Sequence, residues 1–292
     1  KKKRIALCKS ILPQNPLWTS FIRYEKITEF IWVRRWRDNL YLLFFSKNRI
    51  FPYSPKSALT DSSLSSKSLK ICCGGFAKYA LMDKDRVFVK PQNLSFEQAS
   101  AIPISFETAL GALRKGNVKA GQQVMIYGSS GGVGLYAVQL AKIMGATVTG
   151  VCSTRNLELA KQMGCDYVID YKKEDFTKVR TKFDVIIGVN GCNSMKDYKQ
   201  ILKPNGIFIG VGNVKQVTKA LFRSFTSRNF SYFAGPMMPQ KDYLSYAKEL
   251  AETGKLIPYI DKIYSVKDTK EAIRYIITSH AQGKVVVSMD FE

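Results

Sequence analysis

Apolar and polar residues follow two alternating patterns along most of the chain after residue 120. Short apolar runs without alternation are separated by segments with the period of amphipathic helices. The predicted strands cover residues 122–127, 147–152, 167–170, 183–189, 206–212 and 229–235, and the predicted helices cover 132–144, 155–163 and 194–202. Wholly apolar strands that alternate with helices are typical of a parallel sheet covered on both faces. The pattern therefore predicts an α/β fold with a doubly wound parallel sheet.

The segment before this repeat predicts strand followed by two helices. Residues 76–90 alternate as strand segments. Ser95 begins a capping box for a helix that runs to about residue 101. After a proline interruption, Ser105 is expected to cap a second helix that runs through residue 113.

The first strand of the repeat leads into its helix through the glycine-rich stretch YGSSGGVG, residues 127–134. Gly128 and Gly131 are expected to permit a tight turn and the close approach of another group. Gly134 is expected to let the helix pack on the sheet. An ordinary glycine-rich turn is the alternative, and the surrounding strands and helices favour the functional interpretation.

The start of the following helix is a predicted anion site. Gly132 and Val133 supply free backbone N–H groups at the positive end of the helix dipole, and the Ser130 hydroxyl can add a donor. In a doubly wound fold, this turn holds the pyrophosphate of a dinucleotide.

The end of the second strand of the repeat bears on the choice of dinucleotide. The stretch VCSTRN, residues 151–156, has no carboxylate of the kind that holds the ribose 2′-hydroxyl of NAD. Ser153 and Thr154 can donate hydrogen bonds there, and Arg155 can pair with a 2′-phosphate. The stretch thus favours NADPH, with a solvated loop arginine as the alternative.

Composition excludes several classes of function. The apolar content of 46% and charged content of 23% are those of a globular protein, and 292 residues allow one large or two ordinary domains. Of the net charge of +22, residues 1–73 carry 15 basic against 4 acidic residues and residues 74–292 carry 30 against 19. No nucleic-acid motif accompanies this excess, and no apolar run is long enough to span a bilayer. We therefore expect neither a nucleic-acid nor a membrane partner.

Cysteine and histidine usage indicates a reduced protein without a metal site. The six cysteines are scattered or adjacent, with no C-x-x-C pair, and His280 is the only histidine. A zinc site built from these residue types has few ligands to draw on. The sequence therefore predicts a cytoplasmic location and no bound metal.

Composition changes abruptly near residue 73. All twenty glycines follow this point, all three tryptophans precede it, and residues 54–68 include seven serines. The front segment, residues 1–73, shows little periodicity apart from a possible helix near 19–45. One hypothesis is that this segment is a frame-shifted or misassembled translation, and the alternative is a truly divergent cap.

Several stretches together resemble the zinc-independent quinone oxidoreductases of the medium-chain dehydrogenase/reductase superfamily. They are AIPISFETAL, GSSGGVGLYAVQLAK, ATVTGVCST, VIDY, LKPNGIFIGVG and HAQGKVV, and the resemblance extends from about Gly74 to Glu292. It implies a nucleotide domain of the Rossmann type and the remnant of a GroES-like β-barrel catalytic domain. The implied domains are an anomalous segment 1–73, the end of the barrel domain 74–104, the dinucleotide-binding domain 105–235, and a segment 236–292 that returns to the catalytic domain.

The resemblance also implies an activity and a set of site residues. The activity is NADPH-dependent hydride transfer, without metal, to a small-molecule quinone, enone or similar activated carbonyl, by a homodimer joined through the last strand of the nucleotide domain. The implied cofactor contacts are Ser130 to Val133 at the pyrophosphate, Ser153, Arg155 and Tyr171 at the adenosine phosphate, Asn190, Val211 and Gly212 at the nicotinamide ribose, and Thr108 at the nicotinamide. No catalytic acid or base is implied, and His280 is interpreted as a structural or surface residue.

The front segment departs from the family pattern. The barrel signatures G-x-D-x-x-G-x-V and G-D-x-V do not occur in residues 1–73, although the barrel should form one wall of the substrate cleft. We therefore expect this chain to bind NADPH and to reduce quinones poorly. A nucleotide-binding protein without turnover, and a basic front segment that docks on membrane or nucleic acid, are the two alternatives.

Overall fold

The computed structural model describes residues 31–34, 41–44, 88–189, 193–212, 214–233, 240–277 and 281–289. These residues include ten strands and eight α-helices. The strands are β1 (Ile31–Arg34), β2 (Tyr41–Phe44), β3 (Gln123–Tyr127), β4 (Thr147–Cys152), β5 (Tyr167–Asp170), β6 (Phe183–Val189), β7 (Leu202–Val211), β8 (Phe230–Phe233), β9 (Ile260–Ser265) and β10 (Lys284–Ser288). The helices are α1 (Phe96–Ser100), α2 (Pro103–Lys115), α3 (Gly132–Ile143), α4 (Leu157–Gln162), α5 (Met195–Ile201), α6 (Val214–Ser224), α7 (Gln240–Glu252) and α8 (Thr269–Ile277).

The larger sheet has six parallel strands in the order β5-β4-β3-β6-β7-β8. The strand order reverses direction between β3 and β6, so the carboxyl ends of these two strands flank the switch point where such sheets bind ligands. The predicted doubly wound α/β fold is confirmed.

Apolar side chains cover both faces of this sheet. One core joins alternate residues of β3, β4 and β6 to α2, α3 and α7, and a second joins the opposite faces of the same strands to α5 and α6. Strands buried on both faces have no polar side to alternate with, which explains their continuous apolar runs.

The bounds of three strands agree with the sequence pattern, and those of β7 differ from it. Three strands, 147–152, 167–170 and 183–189, have the predicted bounds. The strand β7 instead begins at Leu202, four residues before the predicted start, because Leu202 pairs with Phe183 across a register shift. Its first residues include a proline and a glycine, which weaken the local strand signal.

The two helices before the sheet differ in how they begin. Ser95 and Gln98 form the predicted capping box at the start of α1. The prediction that Ser105 caps α2 is wrong. The helix already begins at Pro103, because the fixed φ of proline suits the first helical position. Ser105 is therefore buried inside the helix, and α2 continues to Lys115.

A second sheet has the strand order β1-β2-β10-β9. β1 and β2 pair in antiparallel fashion, and β2 and β10 pair in parallel, with Leu43 opposite Val286 in the register. The helix predicted near 19–45 is therefore wrong at residues 31–34 and 41–44, because β1 pairs with β2 and β2 pairs with the distant C-terminal strand β10, and this pairing favours extended backbone. Of the strand predicted over 76–90, only residues 88–90 are described, and they lie outside any strand.

The elements after β8 divide between the two sheets. α7 packs on α2, with the Tyr246 and Phe106 ring centroids 6.0 Å apart, whereas β9, α8 and β10 belong with the second sheet. Among the described helices, none combines the length and apolar character needed to cross a bilayer.

Candidate functional site: the glycine turn and its surroundings

The turn between β3 and α3 needs glycine at two positions. Gly128 has a φ of +86°, and a side chain there would strike the carbonyl oxygen of Val189 at the end of β6. At Gly134, a Cβ would overlap the Gly128 carbonyl and lie 2.9 Å from the Ser129 carbonyl carbon. The first turn of α3 therefore packs directly on the turn backbone, whereas the sequence predicted that Gly134 lets the helix pack on the sheet.

Gly131 is different, and the sequence interpretation of its role in the turn is wrong. Its φ of −84° and ψ of 171° are extended backbone that any residue adopts. A Cβ on Gly131 would meet only the Gly128 carbonyl oxygen, at 3.7 Å. The absence of a side chain therefore keeps open space in front of the turn, rather than permitting the turn itself.

The amino terminus of α3 presents backbone donors at this space. Gly131 is the N-cap and provides no side-chain cap. The first intrahelical bond runs from the Leu135 amide to the Gly131 carbonyl, at 2.9 Å. The amides of Gly132 and Val133 belong to the helix end whose N–H groups have no intrahelical acceptor. This end favours an anion.

Ser130 is held by a polar chain that sequence reasoning missed. Asn156 donates from Nδ2 to the Ser130 hydroxyl at 2.7 Å and accepts a hydrogen bond from the Gln282 side chain. Because the Ser130 oxygen accepts from Asn156, its own proton can be donated to a ligand. Asn156 is buried beside the turn. A buried polar residue just after a strand is the signal that could have pointed to it.

Lys284 is a cation of this site that the sequence analysis did not identify. The Gly283 amide donates to the Ser130 carbonyl at 3.0 Å, which fixes the start of β10 beside the turn. The Lys284 side chain is only 4% exposed, and its Cδ and Cε lie 3.1 and 3.2 Å from where a Cβ on Gly132 would be. Burial lowers the pKa of Lys284 to about 8. A nearby anion would favour the charged ammonium.

At the end of β4, the hydroxyl groups have different tasks. The Thr154 hydroxyl donates to Asp170, with 2.5 Å between the oxygens, and the Lys172 amide donates to the same carboxylate. These bonds, with that of Thr154 the stronger influence, hold the pKa of Asp170 below its usual value. Asp170 is 2% exposed, so its carboxylate orders the loop after β5. The Thr154 hydroxyl is thus bound to Asp170, and the second hydroxyl at the end of β4 is that of the buried Ser153.

Arg155 lies on the surface between the end of β4 and the C-terminal segment. Burial raises the pKa of Tyr275 to about 12, helped by a hydrogen bond from its hydroxyl to Asp261 at 2.7 Å, and the positive charge of Arg155 acts against this shift. Arg155 is therefore close to Tyr275 in α8. Arg155 follows the end of β4, and the sequence did not indicate that its charge acts on Tyr275. Its contact with a 2′-phosphate stays a prediction.

Tyr171 forms an aromatic wall beside the same edge of the sheet. It is 48% exposed, and its ring stacks on that of Tyr127 at the end of β3, with centroids 6.5 Å apart. Tyr127 in turn contacts the rings of Phe176 and Tyr198. The wall therefore offers a flat apolar surface near the glycine turn.

Of the remaining predicted residues, Val211 and Gly212 lie farther along the carboxyl edge of the sheet. Val211 ends β7, and Gly212 follows it with a φ of +80°. Thr108 is half-buried on α2. Asn190 lies outside the described residues, as does His280. Since the strands are parallel, their carboxyl ends bring the glycine turn, Ser153, Arg155, Tyr171, Val211 and Gly212 to one edge.

Metal-binding residue types do not cluster in the part of the chain that the structure describes. No group of three or more histidine, cysteine, aspartate or glutamate side chains there could hold an ion. Cys152 and Cys165 are buried free thiols, and burial raises the pKa of each, to about 12 for Cys165.

The glycine turn, the parallel sheet and the buried cation together define a dinucleotide-binding dehydrogenase fold. Residues 163–287 match the family described as zinc-binding dehydrogenase. Across 75% of this chain and 71% of the other, the structure is similar to the quinone oxidoreductase from Coxiella burnetii, with a TM-score of 0.66 and 29% identity.

Three curated relatives are similar to this chain in sequence. The 2-methylene-furan-3-one reductase of Solanum lycopersicum is 35% identical over 73% of this chain and 52% of its own length. The NADPH-dependent alkenal/one oxidoreductase of Arabidopsis thaliana is 31% identical over 73% of this chain and 53% of its own. The quinone-oxidoreductase QR1 of Triphysaria versicolor is 33% identical over 73% of this chain and 68% of its own.

The chain belongs to the quinone oxidoreductase family of the medium-chain dehydrogenase/reductases. It spans about half the length of the first two of these relatives.

Proposed function

We propose that this protein is an NADPH-dependent oxidoreductase that transfers hydride to an enone, a quinone or a similar activated carbonyl. The single observation that carries the proposal is the glycine turn, where the amino terminus of α3 lies at open space in front of Gly131 and the buried Ser130 and Lys284 adjoin the same turn. The names of the relatives, a furanone reductase, an alkenal/one oxidoreductase and a quinone oxidoreductase, support this substrate class.

The residues of the site fit a dinucleotide phosphate. Two anionic phosphates would meet the amides of Gly132 and Val133, the Ser130 hydroxyl and the Lys284 ammonium. Arg155 and Ser153 would hold the 2′-phosphate, and Tyr171 would flank it. Val211, Gly212, Asn190 and Thr108 are proposed to position the nicotinamide half. The nicotinamide supplies the hydride, and the protein supplies orientation and excludes water.

The proposed reaction uses no metal ion. The described residues offer no cluster of metal ligands, and the two described cysteines are buried with raised thiol pKa values. Metal analysis of the purified protein tests this part. Stoichiometric zinc that is required for cofactor oxidation would contradict it.

Turnover depends on how residues 1–73 complete the substrate cleft. β1 and β2 of this segment join the sheet of β9 and β10, whereas the barrel signatures of the family are missing from it. We therefore expect binding of NADPH with slow reduction of quinones. A cofactor-oxidation assay against a panel of quinones and enones tests the function. Binding without any turnover would instead favour a nucleotide-binding protein, the alternative interpretation.

A homodimer joined through β8 is part of the proposal. β8 ends the larger sheet among the described strands, so its outer edge can extend the sheet into a second copy. Phe222 and Phe225 beside it are 72% and 79% exposed, as expected of an apolar contact surface. Light scattering coupled to size exclusion tests this, and a monomer at micromolar concentration would contradict it.

The proposed location is the cytoplasm, where the free thiols of Cys152 and Cys165 stay reduced. Two of the relatives are chloroplastic by name. Cell fractionation separates these locations, and recovery in an organelle fraction would contradict the cytoplasmic proposal.

A further inference from the structure

Glu107 places a carboxyl group beyond the carboxyl edge of the parallel sheet. α2 crosses the sheet from this edge to the opposite one: Gly116 lies against Val185 at the start of β6, whereas Gly111 lies against the ring of Phe233 at the end of β8. Glu107 precedes Gly111 by four residues and shares its helix face. It therefore stands about 6 Å farther beyond the edge, at the four-residue rise of a helix.

The carboxyl group is held in an apolar and aromatic environment. The Tyr243 hydroxyl of α7 donates a hydrogen bond to it. The Oε1 atom is buried and has no hydrogen-bond partner in the described structure. Burial raises the pKa of Glu107, and the bond from Tyr243 only partly opposes this. A buried acceptor without a partner is costly when charged, so this environment favours the protonated acid.

The titratable groups that neighbouring elements present to α2 are tyrosines, as far as the described residues go. α7 contributes Tyr243 and Tyr246, α3 contributes Tyr136, and β8 contributes Tyr232, which also lies near Lys115 at the far end of α2. Glu107 is the one carboxylic acid among these side chains, and a carboxylic acid gives up its proton more readily than a phenol.

Glu107 lies on the side of the sheet where its ligands are expected. Ligands of doubly wound sheets bind outside the carboxyl ends of the strands. Thr108, the adjacent residue, is the one proposed to face the nicotinamide. Oε1, the carboxyl oxygen without a hydrogen-bond partner in the described structure, can carry the proton and give it to a ligand.

We propose that Glu107 is the proton donor in the reduction of an α,β-unsaturated carbonyl compound, an inference that rests on the proposed function. Hydride transfer forms a C–H bond at the β-carbon, and the π electrons of the C=C bond move to give an enolate. Glu107 then gives its proton to the α-carbon and becomes a carboxylate, which regains a proton from water. The sum is one enone, one reduced cofactor and one proton converted to a saturated carbonyl compound and oxidised cofactor.

Reduction of an enone should depend on the Glu107 proton more strongly than reduction of a quinone. An enolate is a strong base that must be protonated before it reverts. The hydroquinone anion formed from a quinone is stabilised by its aromatic ring and can wait for a proton from water. Loss of the acid should therefore slow enone reduction by about 10²–10⁴-fold, the usual contribution of a general acid, and slow quinone reduction much less.

The first test needs no cofactor. Infrared difference spectra of the full chain, titrated from acid to alkaline pH, should show a protonated carboxyl that persists above the range of ordinary glutamates and is missing in Glu107→Gln. The Tyr243→Phe variant should keep this band and shift its loss to higher pH, because it removes the bond that favours the carboxylate. Glu158→Gln, an exposed residue of α4, is the matched control and should leave the band unchanged. A wild-type protein without such a band, or with the band retained in Glu107→Gln, overturns the proposal.

The second test reads the fate of the proton. With excess protein, reduced cofactor and an α-substituted enone in deuterium oxide, the wild type should place deuterium on one face of the α-carbon. Glu107→Gln should still deliver hydride to one face of the β-carbon, but should lose facial selectivity at the α-carbon. Retained selectivity in this variant contradicts the role of Glu107. A wild type that binds no NADPH contradicts the proposed function instead, so the two failures are distinguishable.

Discussion

The aliphatic end of Lys284 lies against the backbone of Gly132, with Cδ and Cε at 3.1 and 3.2 Å from the position of a Cβ there. This contact brings the first residue of β10 onto the first turn of α3, although 152 positions separate the two in sequence. Glycine at 132 leaves the space that the lysine fills. The arrangement combines a buried cation with a helix amino terminus, two features that attract the same anion.

Replacement of Lys284 by methionine should weaken NADPH and NADH equally. A charge-assisted bond to a phosphate contributes about 1.5–3 kcal/mol, so both affinities should fall at least ten-fold, because the two cofactors share the pyrophosphate. Calorimetric titration measures this, with replacement of the exposed Lys255 by methionine as the control. A loss for NADPH alone would show that Lys284 contacts a different phosphate.

Cofactor affinity should also fall as pH rises through about 8, the pKa of Lys284 in the free protein. The charged ammonium attracts the phosphates and the neutral amine does not. The same titration repeated from pH 6.5 to 9.5 should show a declining affinity in the wild type and a flatter profile in Lys284→Met. Identical profiles would count against this source of the dependence.

The stability of the cofactor-free protein should depend on pH in the opposite direction. Below about pH 8, Lys284 is charged in both the folded and the unfolded chain, and the fold bears the cost of burying it. Between about 8 and the ordinary value of 10.5, the unfolded chain still binds the proton while the folded chain does not. The free energy of unfolding should therefore gain a contribution with rising pH across this window. Urea unfolding of wild type and Lys284→Met isolates it, and a difference that stays constant with pH would refute it.

Two glycines of the turn should respond oppositely to substitution. Gly134→Ala should lower the free energy of unfolding by about 1–3 kcal/mol, because its Cβ overlaps the Gly128 carbonyl. Gly131→Val should leave stability nearly unchanged, since its backbone is extended and its Cβ has room, yet it should block the pyrophosphate. Thermal unfolding and cofactor titration of both variants check this. Full affinity in a folded Gly131→Val protein would contradict the position of the site.

Arg155→Ala should discriminate between cofactors. If the guanidinium pairs with the 2′-phosphate, NADPH should weaken about ten-fold or more, and NADH should change little. Its proximity to Tyr275 offers a second readout, because removal of Arg155 should raise the pKa of that phenol further. Equal losses for both cofactors would show that Arg155 acts only through the C-terminal segment.

The central sheet was predictable because its signal is local. The strands β3, β4 and β6 are buried on both faces, so their apolar runs and the flanking helices mark them directly. Ser95 was predictable for the same reason, since both members of its capping box lie within one turn. Ser105 was not, because Pro103 had already set the start of the helix.

The parts of the site that depend on distant contacts could not be predicted in this way. Asn156 and Gln282 meet at the glycine turn, and Lys284 reaches it from β10, although nothing in the local pattern relates these positions. Glycine spacing likewise does not tell which glycine needs a positive φ. The structure assigns that need to Gly128 and relieves Gly131 of it.

Direct titration of the full chain with NADPH tests the central claim most closely, since it requires neither the substrate nor a complete cleft. The site predicts saturable binding of one NADPH per chain, weaker binding of NADH, and loss of both in Gly131→Val while the variant remains folded. A folded wild-type protein that binds neither cofactor, or that binds both unchanged in Gly131→Val, would contradict a dinucleotide site at the glycine turn.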